Sequence, residues 1–184
     1  MPFPTLTTDR LILRQTSQAD AASIFSIFSD PAVVEFYDIE ALQDGSQAEE
    51  ILDRHQKLFE SKRGIRWGIA LRDSGTLVGT AGYFGKIEAY SSAVLGYDLS
   101  RTQWGKGIMV EALRAILTYG FAQYGLNRIQ ATTDLDSLRS VATLKRLGFQ
   151  EEGTLRQSGF WKGKFHDVRC FSLLRSEWTT IRSL

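Results

Sequence analysis

Cysteine is almost missing from this chain: Cys170 stands alone, so no internal disulfide can form. Histidine is nearly as scarce, with only His55 and His166. With Cys170 these cannot build a His/Cys-rich zinc site, and no carboxylate cluster in the sequence suggests another metal, so metal-free chemistry is expected. Charge of one sign is not in excess, since Lys+Arg is 22, Asp+Glu is 21 and the formal net charge is +1. Neither nucleic acid nor an anionic membrane surface is therefore an expected partner. No apolar run approaches membrane-spanning length. The first ten residues, Met1 to Arg10, contain no signal-peptide core and no small-residue cleavage site, so a cytoplasmic protein is expected. Proline occurs only at positions 2, 4 and 31, and no repeat, low-complexity tract or linker interrupts the chain.

What is present suits one globular domain spanning 1–184: 43% of residues are hydrophobic and 23% charged. Arg10 to Arg14 alternates charged and apolar residues and reads as a strand. Ser17 and Asp20 form a capping-box variant that opens a helix ending near Asp30-Pro31. A second helix is predicted over about Ser46 to Lys62, with Ile51, Leu52, His55, Leu58 and Phe59 at helical spacing. Three strands follow, Trp67–Leu71, Leu77–Phe84 and Ala93–Leu99, with connections short enough for an antiparallel meander. A long helix runs from the Gly105-Lys106-Gly107 turn to about Tyr124, where Gly125 stops it. Then come a strand over Arg128–Thr133, a helix over Ser137–Leu147, and two extended stretches, Phe149 to about Phe160 and Phe165 to Leu174, joined by a turn at Trp161 to Lys164. The order β-α-α-β-β-β-α-β-α-β-β describes a mixed α/β fold rather than a regular doubly wound sheet.

The glycine turn carries the strongest chemical signal. First-turn N–H groups of a helix have no internal partners and sit at the positive end of its dipole, so an anion docks there. Glycine lets a diphosphate approach the backbone closely, and Lys106 adds a mobile positive charge at the rim. A phosphate-binding P-loop is excluded, because Ser100 occupies the first glycine place and Gly107 follows the lysine. A dinucleotide fingerprint fits poorly: Val110 replaces its third glycine, and Asp134 lies too far along to serve as the ribose-binding acid. Two glycines serving only a tight turn, and a coenzyme A site, both stay open on these residues alone.

Longer stretches bear on that choice. Gly96-Tyr97-Asp98-Leu99 followed by Trp104-Gly105-Lys106-Gly107-Ile108-Met109-Val110-Glu111-Ala112 resembles the coenzyme-A-binding motif of GNAT-type N-acetyltransferases. Asp136-Ser137-Leu138-Arg139-Ser140-Val141-Ala142 and Leu147-Gly148-Phe149 resemble that superfamily's next motif. Thr8 to Arg14, Glu152 to Arg156, Gly163 to Asp167 and Leu173 to Trp178 look like the branch containing ribosomal-protein alanine and serine N-acetyltransferases. The resemblance covers nearly the whole chain in order.

It implies a mostly antiparallel, twisted sheet of about seven strands splayed around acetyl-CoA, with about four flanking helices. It implies transfer of acetyl to a primary amine by direct attack in a ternary complex. The diphosphate falls to the main-chain amides of Gly105, Lys106, Gly107, Ile108, Met109 and Val110, next to Trp104. The pantetheine arm falls to the strand edge near Asp98 and Leu99, where a splay from the Arg128–Thr133 strand would leave main-chain groups for it. Ser137 and Ser140 are the helix residues expected at the cofactor; local helix capping is the competing reading of Ser137. Trp104 stands where relatives often have Arg or Gln, Met109 where they have Gly or Ala, and Ser137 where they have Asn.

Ser140 is the expected acid toward the departing thiolate, and an N–H near Asp98 or Leu99 the expected oxyanion donor. Relatives often place a glutamate base where Val94 stands; Asp98, on the same strand face, is the expected substitute. Glu35, Glu88 and Glu111 are weaker candidates. His55 reads as flanking the core, His166 with Asp167 as structural, and Cys170 as packed within a strand rather than nucleophilic. A weak base favours an acceptor of low pKa. An α-amine titrates near 8 against about 10.4 for lysine, which would cost about 3 kcal/mol more to deprotonate. A protein or peptide N-terminus is therefore the expected acceptor. A polyamine, an aminoglycoside, an amino acid, and a silent acetyl-CoA sensor remain alternatives. Phe36, Tyr37, Phe160 and Trp161 are expected on the acceptor side, in a monomer or homodimer.

Overall fold

The computed structural model of the protein describes residues 2–182. Eight strands form one sheet in the order β1-β2-β3-β4-β5-β6-β8-β7. They are β1 (Leu6–Thr7), β2 (Leu11–Arg14), β3 (Ile65–Leu71), β4 (Leu77–Ile87), β5 (Ser92–Leu99), β6 (Arg128–Asp134), β7 (Gln150–Trp161) and β8 (Lys164–Leu174). Five α-helices accompany them: α1 (Ala21–Phe28), α2 (Gly45–Glu60), α3 (Ile108–Ala122), α4 (Leu138–Arg146) and α5 (Arg175–Arg182). The eleven expected elements are present in the expected order. The expectation of about seven strands and four helices falls short by one each. The two-residue β1 is too short to show alternation, and α5 is a polar segment anchored by one buried aromatic, Trp178. Among the described residues, no helix is long and apolar enough to cross a membrane.

Alternation decides which side of the sheet holds the main core. Leu11 and Leu13, Ile65, Trp67 and Ile69, Ala81 and Tyr83, and Ala93 and Leu95 all share one face. They meet Leu113, Ile116 and Leu117 of α3 and Val141 and Leu144 of α4. Each such side chain, fully buried, contributes roughly 1.5–3 kcal/mol. Tyr83 enters α3 closely enough that a Cβ at Gly120 would lie 2.3 Å from its hydroxyl, which donates to the Ile116 carbonyl at 2.8 Å. A second cluster lies under α1 and α2, where Ile24, Ile27, Phe28, Ile51 and Leu52 pack with Leu77 of β4.

Only the β5–β6 pair is parallel, and its register covers three residue pairs, Ser92↔Arg128 to Val94↔Gln130. Beyond Val94 the strands part, while β5 stays paired with β4 to Gly79↔Leu99 and β6 stays paired with β8 to Asp134↔Val168. The opening holds a cavity of ≈ 1230 Å³.

Candidate active site

Main-chain geometry sets up the cleft. Ser100 N donates to the Val78 carbonyl of β4 at 2.7 Å, so at the end of β5 the even-numbered residues direct their peptide groups toward β4 and the odd-numbered ones toward β6. After the strands part, Tyr97 and Leu99 have no β6 partner. Their carbonyls are taken by other groups: Tyr37 Oη donates to Tyr97 O at 2.6 Å, and Trp104 Nε1 donates to Leu99 O at 2.9 Å. The N–H groups of the same two residues face the opening. Of Asp98 and Leu99, strand parity turns the Leu99 N–H toward the opening.

A single 3-10 turn, Arg101–Gln103, separates β5 from the glycine turn. Gly105 and Gly107 both adopt left-handed backbone, φ 75° and 76°. This reverses the chain into α3, whose first internal bond runs from Glu111 N to Gly107 O at 3.1 Å. The preceding amides of Ile108, Met109 and Val110 have no helical acceptor. Gly105, Gly107, Ile108, Met109 and Val110 line the cleft, and the Ile108 and Met109 side chains point away into the core. Lys106 lies exposed at the rim, with Nζ 3.4 Å from Gln103 Oε1. Trp104 lines the opening and stacks beneath the Arg139 guanidinium, 4.4 Å from its ring centre. The Trp104 departure therefore ties the turn to α4 and to Leu99.

A brace that sequence reading missed holds this turn. Arg10 Nε meets Glu111 Oε2 at 2.6 Å, Arg10 Nη1 donates to Lys106 O at 3.0 Å, and Thr8 Oγ1 donates to Glu111 Oε1 at 2.6 Å. These contacts hold the Glu111 carboxyl below its usual range against the opposing effect of burial. Glu111 is thereby spoken for. Thr8 and Arg10 lie in the turn between β1 and β2, closed by Thr8 N donating to Leu11 O at 3.0 Å, and no local sequence pattern marks their meeting with Glu111.

The opposite wall comes from α4. Ser137 occupies the N-cap position, but its side chain makes no capping bond. Ser137 is one of the residues lining the cleft. Ser140 Oγ lies 2.6 Å from Tyr97 Oη, so one hydroxyl pair spans from β5 to α4. Burial pushes the Tyr97 phenol up to about 12, against a smaller lowering from the Ser140 bond.

Asp98 is corrected. Its side chain is 1% exposed, and both oxygens are engaged: Arg66 Nη2 and Thr80 Oγ1 bond to Oδ2 at 2.5 and 2.7 Å, and Thr80 N bonds to Oδ1 at 2.9 Å. The carboxylate is the buried counter-ion of Arg66 rather than a group free to collect a proton from an amine. Glu88 pairs with Lys86 at 2.8 Å and is absent from the cleft lining. Of the weaker base candidates only Glu35 borders the cleft.

The other end of the cleft, where the acceptor is expected, is built by the segment between α1 and α2 and the β7–β8 hairpin. Phe36, Tyr37, Phe160 and Trp161 all line it. Lys162 Nζ reaches the carbonyls of Val34 and Glu35 at 3.2 and 3.0 Å, which fastens the hairpin tip to that segment. His166 stacks on Trp161 with ring centres 3.8 Å apart, and its Nδ1 lies 3.5 Å from Asp134. Asp167 instead accepts from Gln157 N at 2.8 Å. The histidine's acidic neighbour is therefore Asp134, brought in from β6. His55 borders the cleft from α2, and its buried Nδ1 has no hydrogen-bond partner. Desolvation, with Arg66 and Arg54 nearby, pulls it down to about 3. Cys170 is buried in β8, its thiol raised chiefly by burial, with Sγ 3.9 Å from Glu152 Oε2. Among the described residues no group of three or more His, Cys, Asp or Glu is placed to hold a metal.

The chain is similar to known proteins in sequence and in fold. Residues 10–150 match the family model described as "Acetyltransferase (GNAT) domain". The uncharacterized N-acetyltransferase YoaA of Bacillus subtilis is 38% identical, over 94% of this chain and 98% of its own. The [ribosomal protein uS5]-alanine N-acetyltransferase of Escherichia coli is 26% identical, over 97% of this chain and 95% of its own. Among solved structures, Mycobacterium smegmatis RimJ in complex with CoA-disulfide superposes with a TM-score of 0.84 at 23% identity, over 95% and 88% of the two chains.

Proposed function

The chain belongs to the acetyltransferase (GNAT) family of acyltransferases, and from that premise we propose that residues 1–184 form one domain moving acetyl from acetyl-CoA to a primary amine, foremost a peptide N-terminal α-amine. The observation that carries this is the cleft between β5 and β6. At its mouth are unpaired amides of a helix N-terminus, and along its side is a strand edge with the Tyr97 and Leu99 N–H groups unclaimed. A diphosphate suits the first and a chain of two amides suits the second.

In this reading Gly105 to Val110 grip the diphosphate through the backbone, and Trp104 and Ser137 border it. Leu99 N–H meets the oxygen that becomes negative as the amine adds to the carbonyl. Ser140 donates to the sulfur that leaves. No side chain acts as a strong base. Both oxygens of Asp98 are engaged, so the amine arrives already neutral or loses its proton to water. That favours an α-amine over a lysine side chain by about 3 kcal/mol. The resemblance to a uS5-alanine acetyltransferase supports the same acceptor class, and a ribosomal protein as acceptor would place the reaction in the cytoplasm.

The test is release of free thiol from acetyl-CoA with a panel of amines. Alanine- and serine-starting peptides are compared with the same peptides blocked at the N-terminus, a lysine side-chain amine, a polyamine and an aminoglycoside. Turnover confined to free N-terminal peptides is expected. Turnover only with a small amine overturns the acceptor, and binding of acetyl-CoA without turnover on any amine overturns catalysis.

A further inference from the structure

We propose that Tyr97 is a positioning residue for the transfer step: its phenol holds the Ser140 hydroxyl so that the serine proton is aimed at the departing sulfur. The inference rests on the reading of Ser140 as the donor to that sulfur and adds a residue to it.

Tyr97 is fixed at both ends. Its carbonyl accepts Tyr37 Oη at 2.6 Å, and its own Oη meets Ser140 Oγ at 2.6 Å. The other acceptor near that phenol, Ser140 O, is 3.4 Å away, beyond the ordinary range for a hydroxyl donor. Either oxygen of the Tyr97–Ser140 pair can donate; in the proposed arrangement the phenol donates to Ser140 Oγ, which leaves the serine proton for a third atom in the cleft. Without this partner, a serine inside a helix turns its hydroxyl back to a carbonyl of the preceding turn. Tyr97 removes that competitor. It comes from the part of β5 that has left β6, so the bond exists only because the sheet splays there.

The two hydroxyls work without ionising. A phenol held near 12 does not give its proton to a thiolate, whose conjugate acid titrates near 8.5. As the amine nitrogen bonds to the carbonyl carbon and the C–S bond breaks, the electron pair leaves on sulfur, which accepts a hydrogen bond from Ser140. The proton shed by the new amide nitrogen goes to water, and the thiolate takes one back from water.

The test is a double-mutant cycle on Tyr97→Phe and Ser140→Ala, read by thiol release with an alanine-starting peptide or the panel amine that turns over fastest. Tyr97→Phe should lower kcat at least 10-fold with the KM for acetyl-CoA within 2-fold. It should cost little more in the Ser140→Ala background. Full turnover in Ser140→Ala overturns the underlying reading. A damaged Ser140→Ala beside an intact Tyr97→Phe overturns only the role of Tyr97. So does an equal loss from Tyr97→Phe in both backgrounds, or a rise in KM with kcat kept. Tyr97→Leu repeats the cycle, so that failure of one substitution to fold leaves the question decidable.

Discussion

Arg66 and Asp98 form an ion pair in the floor of the cleft, with Nη2 2.5 Å from Oδ2 and the two side chains 17% and 1% exposed. Thr80 completes it, accepting from Arg66 Nε at 2.7 Å and donating to Asp98. Removing one charge of such a pair strands the other without water, at a cost of about 3–5 kcal/mol. Asp98→Asn should therefore lower the melting temperature substantially. The acid limb of its kcat–pH profile should stay where it is in the wild type. A displaced limb in a folded variant would restore Asp98 as the base.

At the glycine turn, space is not the constraint. A Cβ at Gly107 would meet nothing nearer than Arg10 Nη2 at 3.6 Å, and one at Gly105 would meet nothing within 4 Å. The constraint is the left-handed backbone, which costs a β-branched residue roughly 1–2 kcal/mol or more. Gly107→Val should weaken acetyl-CoA binding at least 10-fold by calorimetry, with far less effect on the fold. Unchanged affinity would mean that the diphosphate is held elsewhere.

Arg10 acts on the same turn from outside. Its side chain is 50% exposed, so its pair with Glu111 adds little to global stability. Its contact with the Lys106 carbonyl is the consequential one. Arg10→Gln should raise the KM for acetyl-CoA several-fold while kcat stays within 2-fold. Loss of kcat at unchanged KM would refute the bracing role.

His55 makes folding pH-dependent. Its folded pKa, about 3, lies below the ordinary 6.5, so the unfolded chain binds the proton more readily. The neutral residue is fully tolerated above pH 6.5, and stability falls as pH drops from there toward 3, by up to ~1.4 kcal/mol per pH unit. His55→Gln should flatten the denaturation free energy between pH 4 and 6.5. An equally steep dependence in that variant would assign the loss to carboxylates instead.

Some of this was legible because it is written locally. Apolar alternation marks Leu11/Leu13, Trp67/Ile69 and Ala93/Leu95 as strands with one buried face, while Ile65 at the start of β3 joins only in the structure. Two glycines before an amphipathic run mark the start of α3, and the ordered motifs mark the family. A residue's conformational preference and side-chain direction depend on near neighbours, so sequence suffices for them. What only the tertiary structure decided is which side chains meet across the chain. Asp98 looked available on its strand face until β3 and β4 brought Arg66 and Thr80 to both of its oxygens. Glu111 looked like a spare acid until the turn between β1 and β2 gave it Thr8 and Arg10, 103 and 101 residues away. Tyr97 carried no role in the sequence beyond its place in a motif, and its meeting with Ser140 of α4 appears only in the folded chain. Chemical availability depends on desolvation and on partners distant in sequence, and these exist only once the sheet has formed.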